Sequence, residues 1–165
     1  MKFTKVFLIT ILSILYFSSC SDKVVEPEPE TQFVQIQFKY NFNDELNTFE
    51  NYLKKDLIRD GSIKIRFWLT EDEQNRIIEM VQETNFYTIP DTLLNTSNMV
   101  ITPDAIQYLR IKNDGIENTV VWNWIPDEYR TEHYNKLRKL AKFIIELIES
   151  KPEYKNLPPR NGGYD

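Results

Sequence analysis

The sequence has little of the residue types that catalytic and metal sites most often use. Its 165 residues include one cysteine, one histidine and four scattered glycines. The single Cys20 has no partner for an internal disulfide, and the glycines are too dispersed for a phosphate-cradling loop. A zinc site needs three or four suitably spaced ligands, which one histidine does not supply. We therefore expect neither a cofactor nor a bound metal.

Positive charge is also scarce. The formal net charge is −5, and it falls to −7 without residues 1–19, which contain Lys2 and Lys5 and no acid. An acidic chain repels phosphate backbones, so we expect no nucleic-acid partner. The sequence shows no basic patch that would hold an anionic lipid surface. Any attachment to a membrane must then have another origin.

A long apolar run is missing too, and the longest covers only residues 6–17. A spanning helix needs about 20 apolar residues, whereas twelve is typical of the apolar region of a signal peptide. Lys2 and Lys5 precede the run, and Ser18, Ser19 and Cys20 follow it. The pattern predicts an export signal in residues 1–19.

Phe17-Ser18-Ser19-Cys20 resembles the lipobox of bacterial lipoprotein precursors, with Phe17 where leucine is usual. The resemblance implies a diacylglyceryl (palmitate-type) lipid on the Cys20 sulfur, cleavage before Cys20 and anchoring to a membrane of the cell envelope. Two or more long acyl chains make such anchoring stable. The alternative is a cleaved secretory peptide in which Cys20 is incidental. Residues 20–31 would form a lipidated terminus and an extended Glu/Pro-rich tether of at most about 35–40 Å.

The sequence pattern predicts one domain at residues 32–152, followed by an irregular tail at 153–165. Apolar residues alternate along 32–41 and 62–69, which indicates strands, and we also assign 47–58 to a strand. Asp60-Gly61 and Asn113-Asp114-Gly115 predict hairpin turns, the second between strands at 105–112 and 117–125. Residues 87–104 form a long connection.

Two helices complete the predicted fold. Thr70 and Glu73 form a capping box, so a helix begins at Thr70 and ends near Asn85. Apolar residues at helical spacing predict a second helix over residues 131–150, ended by Pro152. We expect an α+β domain: a small, mostly antiparallel sheet of about five strands packed against two helices, in the order β-β-β-α-β-β-α.

Tryptophan provides the candidate partner-binding residues. Trp122 and Trp124 share one face of the last strand, and Trp68 lies on the polar face of its own strand. Exposed tryptophans stack on sugars or anchor protein partners, whereas buried ones simply fill a core. Both interpretations remain open for Trp68, Trp122 and Trp124.

The body also resembles uncharacterised domains of small lipoproteins from Gram-positive bacteria and Bacteroidota. The resemblance rests on caps, core positions and turns, and it implies a fold without an activity. The matching residues are Phe49, Lys55-Asp56-Leu57, Leu69-Thr70-Glu71-Asp72-Glu73, Asn85-Phe86, Ile89-Pro90-Asp91 and Leu157-Pro158-Pro159.

Three functions fit these patterns. The first is a non-enzymatic, lipid-anchored envelope protein that binds a protein or glycan. The second is a hydrolase that acts on an envelope polymer through paired carboxylates. The third is a protease-inhibitor-like module that uses an edge strand or residues 87–104. His133, with Asp127, Glu128 and Glu132 nearby in sequence, is either a metal ligand or a solvated residue at a helix start.

Substitution of the proposed lipidated cysteine tests the anchor. Cys20→Ala removes the only thiol of the chain, so palmitate labelling and membrane retention should both be lost. Ser21→Ala, one residue after the proposed lipidated cysteine, should stay labelled. A Cys20→Ala chain that remains labelled and membrane-bound would contradict the lipobox interpretation.

Overall fold

The computed structural model describes residues 32–97 and 105–164, where the chain forms seven strands and three helices. The predicted signal peptide, Cys20, the tether and residues 98–104 lie outside the described residues. The strands are β1 Val34–Tyr40, β2 Asp44–Asn47, β3 Tyr52–Ile58, β4 Gly61–Arg66, β5 Thr92–Leu93, β6 Gln107–Asn113 and β7 Ile116–Trp122. The helices are α1 Glu71–Thr84, α2 Glu132–Ser150 and α3 Pro152–Lys155, with 3-10 turns at Phe86–Thr88 and Asp127–Tyr129.

All seven strands join one mixed sheet in the order β4-β3-β2-β1-β6-β7-β5. Every neighbouring pair is antiparallel except β5 and β7, which run parallel. The first four strands therefore form a meander that ends in the edge strand β4. β1 joins this meander to the β6–β7 hairpin because it pairs with both β2 and β6.

One face of the sheet forms the core together with α1 and α2. The alternating residues of β1, Val34, Ile36, Phe38 and Tyr40, are all buried, as the sequence pattern predicts. Phe38 stacks on Trp122, with ring centroids 6.1 Å apart. The intervening positions of β1 carry Gln35, Gln37 and Lys39, which are half-buried or exposed. The sheet is thus apolar on the helix side and polar on the other side.

Helix α1 begins with the predicted capping box. The Thr70 hydroxyl accepts a hydrogen bond from the Glu73 amide, and the Glu73 carboxylate accepts one from the Thr70 amide. Asn85 ends the helix in the left-handed conformation. Both predicted ends of α1 are confirmed.

A buried glutamine fastens α1 to the start of β1. Gln74 is fully buried, and its Oε1 accepts hydrogen bonds from the amides of Phe33 and Val34 at 2.9 and 3.2 Å. Its Nε2 donates to the Leu69 carbonyl at 3.2 Å. One side chain therefore satisfies backbone groups of two elements that are distant in sequence.

The burial pattern of α2 confirms the apolar stripe predicted from the sequence. The apolar residues at helical spacing are all buried, together with Tyr134 and Leu147; they are Leu137, Leu140, Ala141, Ile144 and Ile148. The Thr131 hydroxyl caps the helix by accepting a hydrogen bond from the Tyr134 amide. The helix ends at Ser150, and Pro152 then begins the next helix instead of a loop. None of the helices in the described ranges is long and apolar enough to cross a membrane.

The predicted five strands and two helices are too few. The short strands β2 and β5 and the one-turn helix α3 have no counterpart in the prediction. β2 reads Asp-Glu-Leu-Asn and has no apolar alternation, although all four residues are buried. β5 has only two residues, and α3 lies in the segment expected to be irregular. The strand predicted at 47–58 begins only at Tyr52, after a turn.

Removal of the Gln74 side chain tests the link between α1 and β1. Gln74→Ala leaves the amides of Phe33 and Val34 without their acceptor, so the free energy of unfolding should fall by about 2–3 kcal/mol. Asn75→Ala, at an exposed position next to it, should change the stability by less than about 0.5 kcal/mol. Urea unfolding of both variants measures the difference, and equal effects would contradict the assigned role.

Candidate functional site

The segment that follows β7 is fixed against α2 by one tyrosine. The Tyr134 hydroxyl donates to the Asn123 carbonyl at 3.0 Å and accepts from the Ile125 amide at 3.1 Å. The Arg130 guanidinium donates to the Ile125 carbonyl, and the Asn123 side chain accepts from the Asn95 amide. Trp124 lies between these anchored residues, so its backbone position is well determined.

Trp124 lines a groove of about 730 Å³ between α2 and the ends of β6 and β7. We call it the tryptophan groove. Its volume lies in the range of ligand-binding clefts. The residues that line it are Gln107, Trp122, Trp124, Tyr134, Asn135, Arg138, Lys139, Ala141, Lys142, Ile145 and Glu146.

The walls of the groove carry more positive than negative charge. Arg138, Lys139 and Lys142 are exposed along α2, whereas Glu146 is the acid among the lining residues. Glu146 pairs with Lys142 one helical turn away, at 3.6 Å. Lys139 pairs with Glu83 of α1. Arg138 makes none of these ion pairs, and its guanidinium carbon lies 6.0 Å from the centre of the Tyr134 ring. The groove therefore combines an aromatic floor with a cationic wall.

The structure brings together two of the three candidate tryptophans. Trp122 is only 1% exposed and packs in the core, which agrees with the core-filling interpretation. Trp124 is half-buried and presents part of its ring to the groove. Trp68 lies between β4 and α1, is half-buried and does not line the groove. Trp124 is thus the candidate residue that combines exposure with a concave surface.

Several groove residues were not identified from the sequence. Tyr134 continues the apolar stripe of α2 by one turn and could have been found from helical spacing. Arg138 and Lys142 are one turn apart on an exposed helix surface, a pattern shared by many solvated helices. Gln107 joins them only through the pairing of β6 with β7.

His133 lies exposed in the first turn of α2. Its acidic neighbour Glu132 pairs with Lys136 at 2.6 Å, and Asp127 pairs with Arg130. The Lys136 ammonium lowers the pKa of the Glu132 carboxyl. Within the described ranges, no three histidine, cysteine or acidic side chains cluster as metal ligands would.

Two carboxylates meet in a second cavity, of about 210 Å³, beside the β1–β2 turn. Asp44 and Asp56 are both buried, and the Asp44 carboxylate accepts a hydrogen bond from the Asp56 amide. Asn41 and Arg160 also bind Asp44, while Asn43 and the Ile58 amide bind Asp56. These contacts are typical of carboxylates that organise turns. A general acid or nucleophile would need an oxygen that faces a substrate.

The C-terminal tail closes this end of the domain. Arg160 reaches the buried Asp44 carboxylate, and the Asn161 amide donates to the Leu57 carbonyl at 3.2 Å. The Tyr164 ring lies 4.0 Å from the Phe42 ring. The tail is therefore bound to the β1–β2 turn and to the end of β3.

Comparison with protein families, curated proteins and solved structures finds no match to this chain.

Tyr40 makes stability sensitive to alkaline pH. Burial, and next the Asp44 carboxylate, raise the pKa of the Tyr40 phenol well above its usual 10.0. The fold therefore favours the neutral phenol, whereas the unfolded chain ionises near pH 10. The free energy of unfolding should be constant with respect to this group below pH 10 and should fall above it, by up to about 1.4 kcal/mol per pH unit.

Urea unfolding at pH 8, 10 and 11 measures this slope. Tyr40→Phe should reduce it, and part should remain because burial also raises the pKa of Tyr87 and Tyr154. At pH 8 the substitution should cost little, since the Tyr40 hydroxyl is buried without a hydrogen-bond partner in the described part of the chain. The exposed Tyr129→Phe is the control. Identical slopes for wild type and Tyr40→Phe would contradict this assignment.

Proposed function

We propose that this protein is a lipid-anchored protein of the bacterial cell envelope, whose single domain binds a protein partner without catalysing a reaction. The proposal of the anchor rests on the lipobox-like Phe17-Ser18-Ser19-Cys20 and the signal-like residues before it. The tether at 20–31 would let the domain reach partners a few nanometres from the bilayer.

The tryptophan groove carries the binding proposal. Trp, Tyr and Arg are the residues that most often dominate protein interfaces, and Trp124, Tyr134 and Arg138 meet here in a concave surface. The exposed part of the Trp124 ring offers apolar surface, while the floor is already rigid because Tyr134 fixes residues 123–125. A rigid, preformed surface loses little entropy on binding.

The lining also indicates the chemistry of the partner. Trp124, Ala141 and Ile145 provide an apolar floor, and only Gln107 and Asn135 offer amide groups. Four other side chains of the lining are charged and three of these four are cations, so an acidic protein segment fits better than a neutral glycan here. The exposed Arg138 and Lys142 favour acidic residues in that segment. We therefore propose an amphipathic, acidic segment of an envelope protein as the occupant.

Site-specific cross-linking in cells tests this proposal. A photo-reactive phenylalanine analogue at position 124 should give one discrete protein adduct, while the same analogue at position 68 should not. Both positions are half-buried tryptophans, so they are matched in type and exposure. Equal adducts at both positions, or an adduct that is glycan, would contradict the proposal.

The identified partner then allows a direct measurement. Trp124→Ala should weaken its binding to the soluble protein by about 2 kcal/mol, roughly 30-fold, as for a residue at the centre of an interface. Arg138→Glu should also weaken it, and most strongly at low salt. Trp68→Ala should leave the affinity unchanged. Binding that does not depend on Trp124 would locate the interface elsewhere.

A further inference from the structure

The face of the sheet opposite the helices concentrates basic residues. We call it the open sheet face, defined by the outward positions of β1–β4, β6 and β7. Although the chain has 20 basic and 25 acidic residues, this face holds six basic and three acidic ones, with Glu50 in the adjoining β2–β3 turn. The basic residues are Lys39, Lys54, Lys64, Arg66, Arg110 and Lys112, and the acidic ones are Glu45, Asp56 and Glu117.

The acids of this face are largely engaged. Glu117 forms a two-pronged ion pair with Arg110 at 2.9 and 3.1 Å. Asp56 is buried and bound by Asn43. Glu45 lies between Lys39 and Lys54 in the strand register and accepts a hydrogen bond from the Gln37 amide at 2.9 Å. Its single charge therefore faces two lysines, and neither forms an ion pair with it.

Four lysines of this face make no ion pair. In the described part of the chain, no carboxylate lies within salt-bridge distance of Lys39, Lys54, Lys64 or Lys112. Lys54 lies directly opposite Lys64, a like-charge arrangement that destabilises a strand pair. A ligand with negative charge would relieve this repulsion.

Aromatic and amide side chains lie between these cations. The Lys64 ammonium is 3.4 Å from the centre of the Tyr52 ring, and the Arg110 guanidinium carbon is 4.4 Å from that of Phe49. Tyr108 lies opposite Lys39 and is half-buried. The amides of Gln35 and Gln37 occupy central positions, the second donating to Glu45, whereas the Asn47 amide is buried and bound to Tyr52 and Glu50.

We infer that the open sheet face binds an acidic polysaccharide. Aromatic rings stack on the C–H faces of sugar rings, amides bond to hydroxyl groups, and lysines bind carboxylates. From β4 to β6 the face spans four strand intervals, about 19 Å, which accommodates several sugar units. This surface is distinct from the tryptophan groove, so the inference goes beyond the proposed function.

The same features disfavour two other anionic partners. A bilayer is a broad anionic plane that would also face the acidic remainder of the domain, whereas a single polymer strand contacts only the basic strip. Single-stranded DNA would use the lysines and aromatic rings, but the sugars within its backbone carry no free hydroxyl groups for the amides to bind. Both partners are outcomes that the experiment distinguishes.

Binding of polygalacturonate to the soluble protein beginning at Ser21 tests the inference. The triple variant Lys39→Gln, Lys54→Gln, Lys112→Gln should lower the affinity by about tenfold or more at low salt, and added salt should weaken binding by the wild type. The control Lys136→Gln, Lys139→Gln, Lys155→Gln removes the same charge from the helical side and should retain most of the affinity. If both triple variants lose the same amount of affinity, the net charge of the protein explains the binding, and the inference is overturned.

Further binding measurements show which chemical features of the ligand this face recognises. Tyr108→Ala, which leaves the charge unchanged, should weaken polygalacturonate binding, since a sugar ring loses its stacking surface. Fully methyl-esterified polygalacturonate should bind poorly. Equal or tighter binding of poly-dT or phosphatidylglycerol vesicles would overturn the assignment to a polysaccharide. Trp124→Ala should bind polygalacturonate normally, so failure of the groove proposal and failure of this one remain distinguishable.

Discussion

The sheet of this domain packs against helices on only one of its faces, and the other features of the structure depend on that constraint. Because side chains alternate along a strand, a strand can carry apolar residues toward the helices at every second position and polar ones between them. β1 lies at the centre and follows this rule most strictly. The two long helices cover the apolar face, and the polar face is left to meet solvent or a ligand.

Elements with a strong local pattern could be predicted from the sequence, and elements that depend on tertiary contacts could not. The alternation in β1, the capping box of α1 and the apolar stripe of α2 are each encoded within a few neighbouring residues. β2 has no such pattern, although all four of its residues are buried. The burial of Asp44 and Asn47 depends on contacts with other parts of the fold, such as that of Asp44 with Arg160, which the sequence around β2 does not encode. β5 exists only because two residues meet β7 in parallel.

The candidate sites divide in the same way. The sequence predicts that Trp122 and Trp124 share one face of the last strand, but β7 ends at Trp122 and Trp124 follows it, so what the two residues share is the groove. The difference in burial between them could not be predicted, because it depends on where β7 ends and on the Tyr134 hydroxyl that holds the next residues. The basic character of the open sheet face could not be predicted from the sequence. Its cations come from four strands with separate places in the chain, so no stretch of sequence is basic and the expectation of no basic patch holds only for the linear sequence.

The contact between Asp44 and Arg160 joins the second strand to a residue 116 positions later. In a chain made from its N-terminus, Asn41 and the Asp56 amide can bind this buried carboxylate early, but its charge has no cation beside it until Arg160 has emerged. Until then the β1–β2 turn holds an uncompensated charge that prefers water, and early closure of this end of the sheet is disfavoured. Such a delay at this end of the sheet is compatible with the export that we propose for this chain.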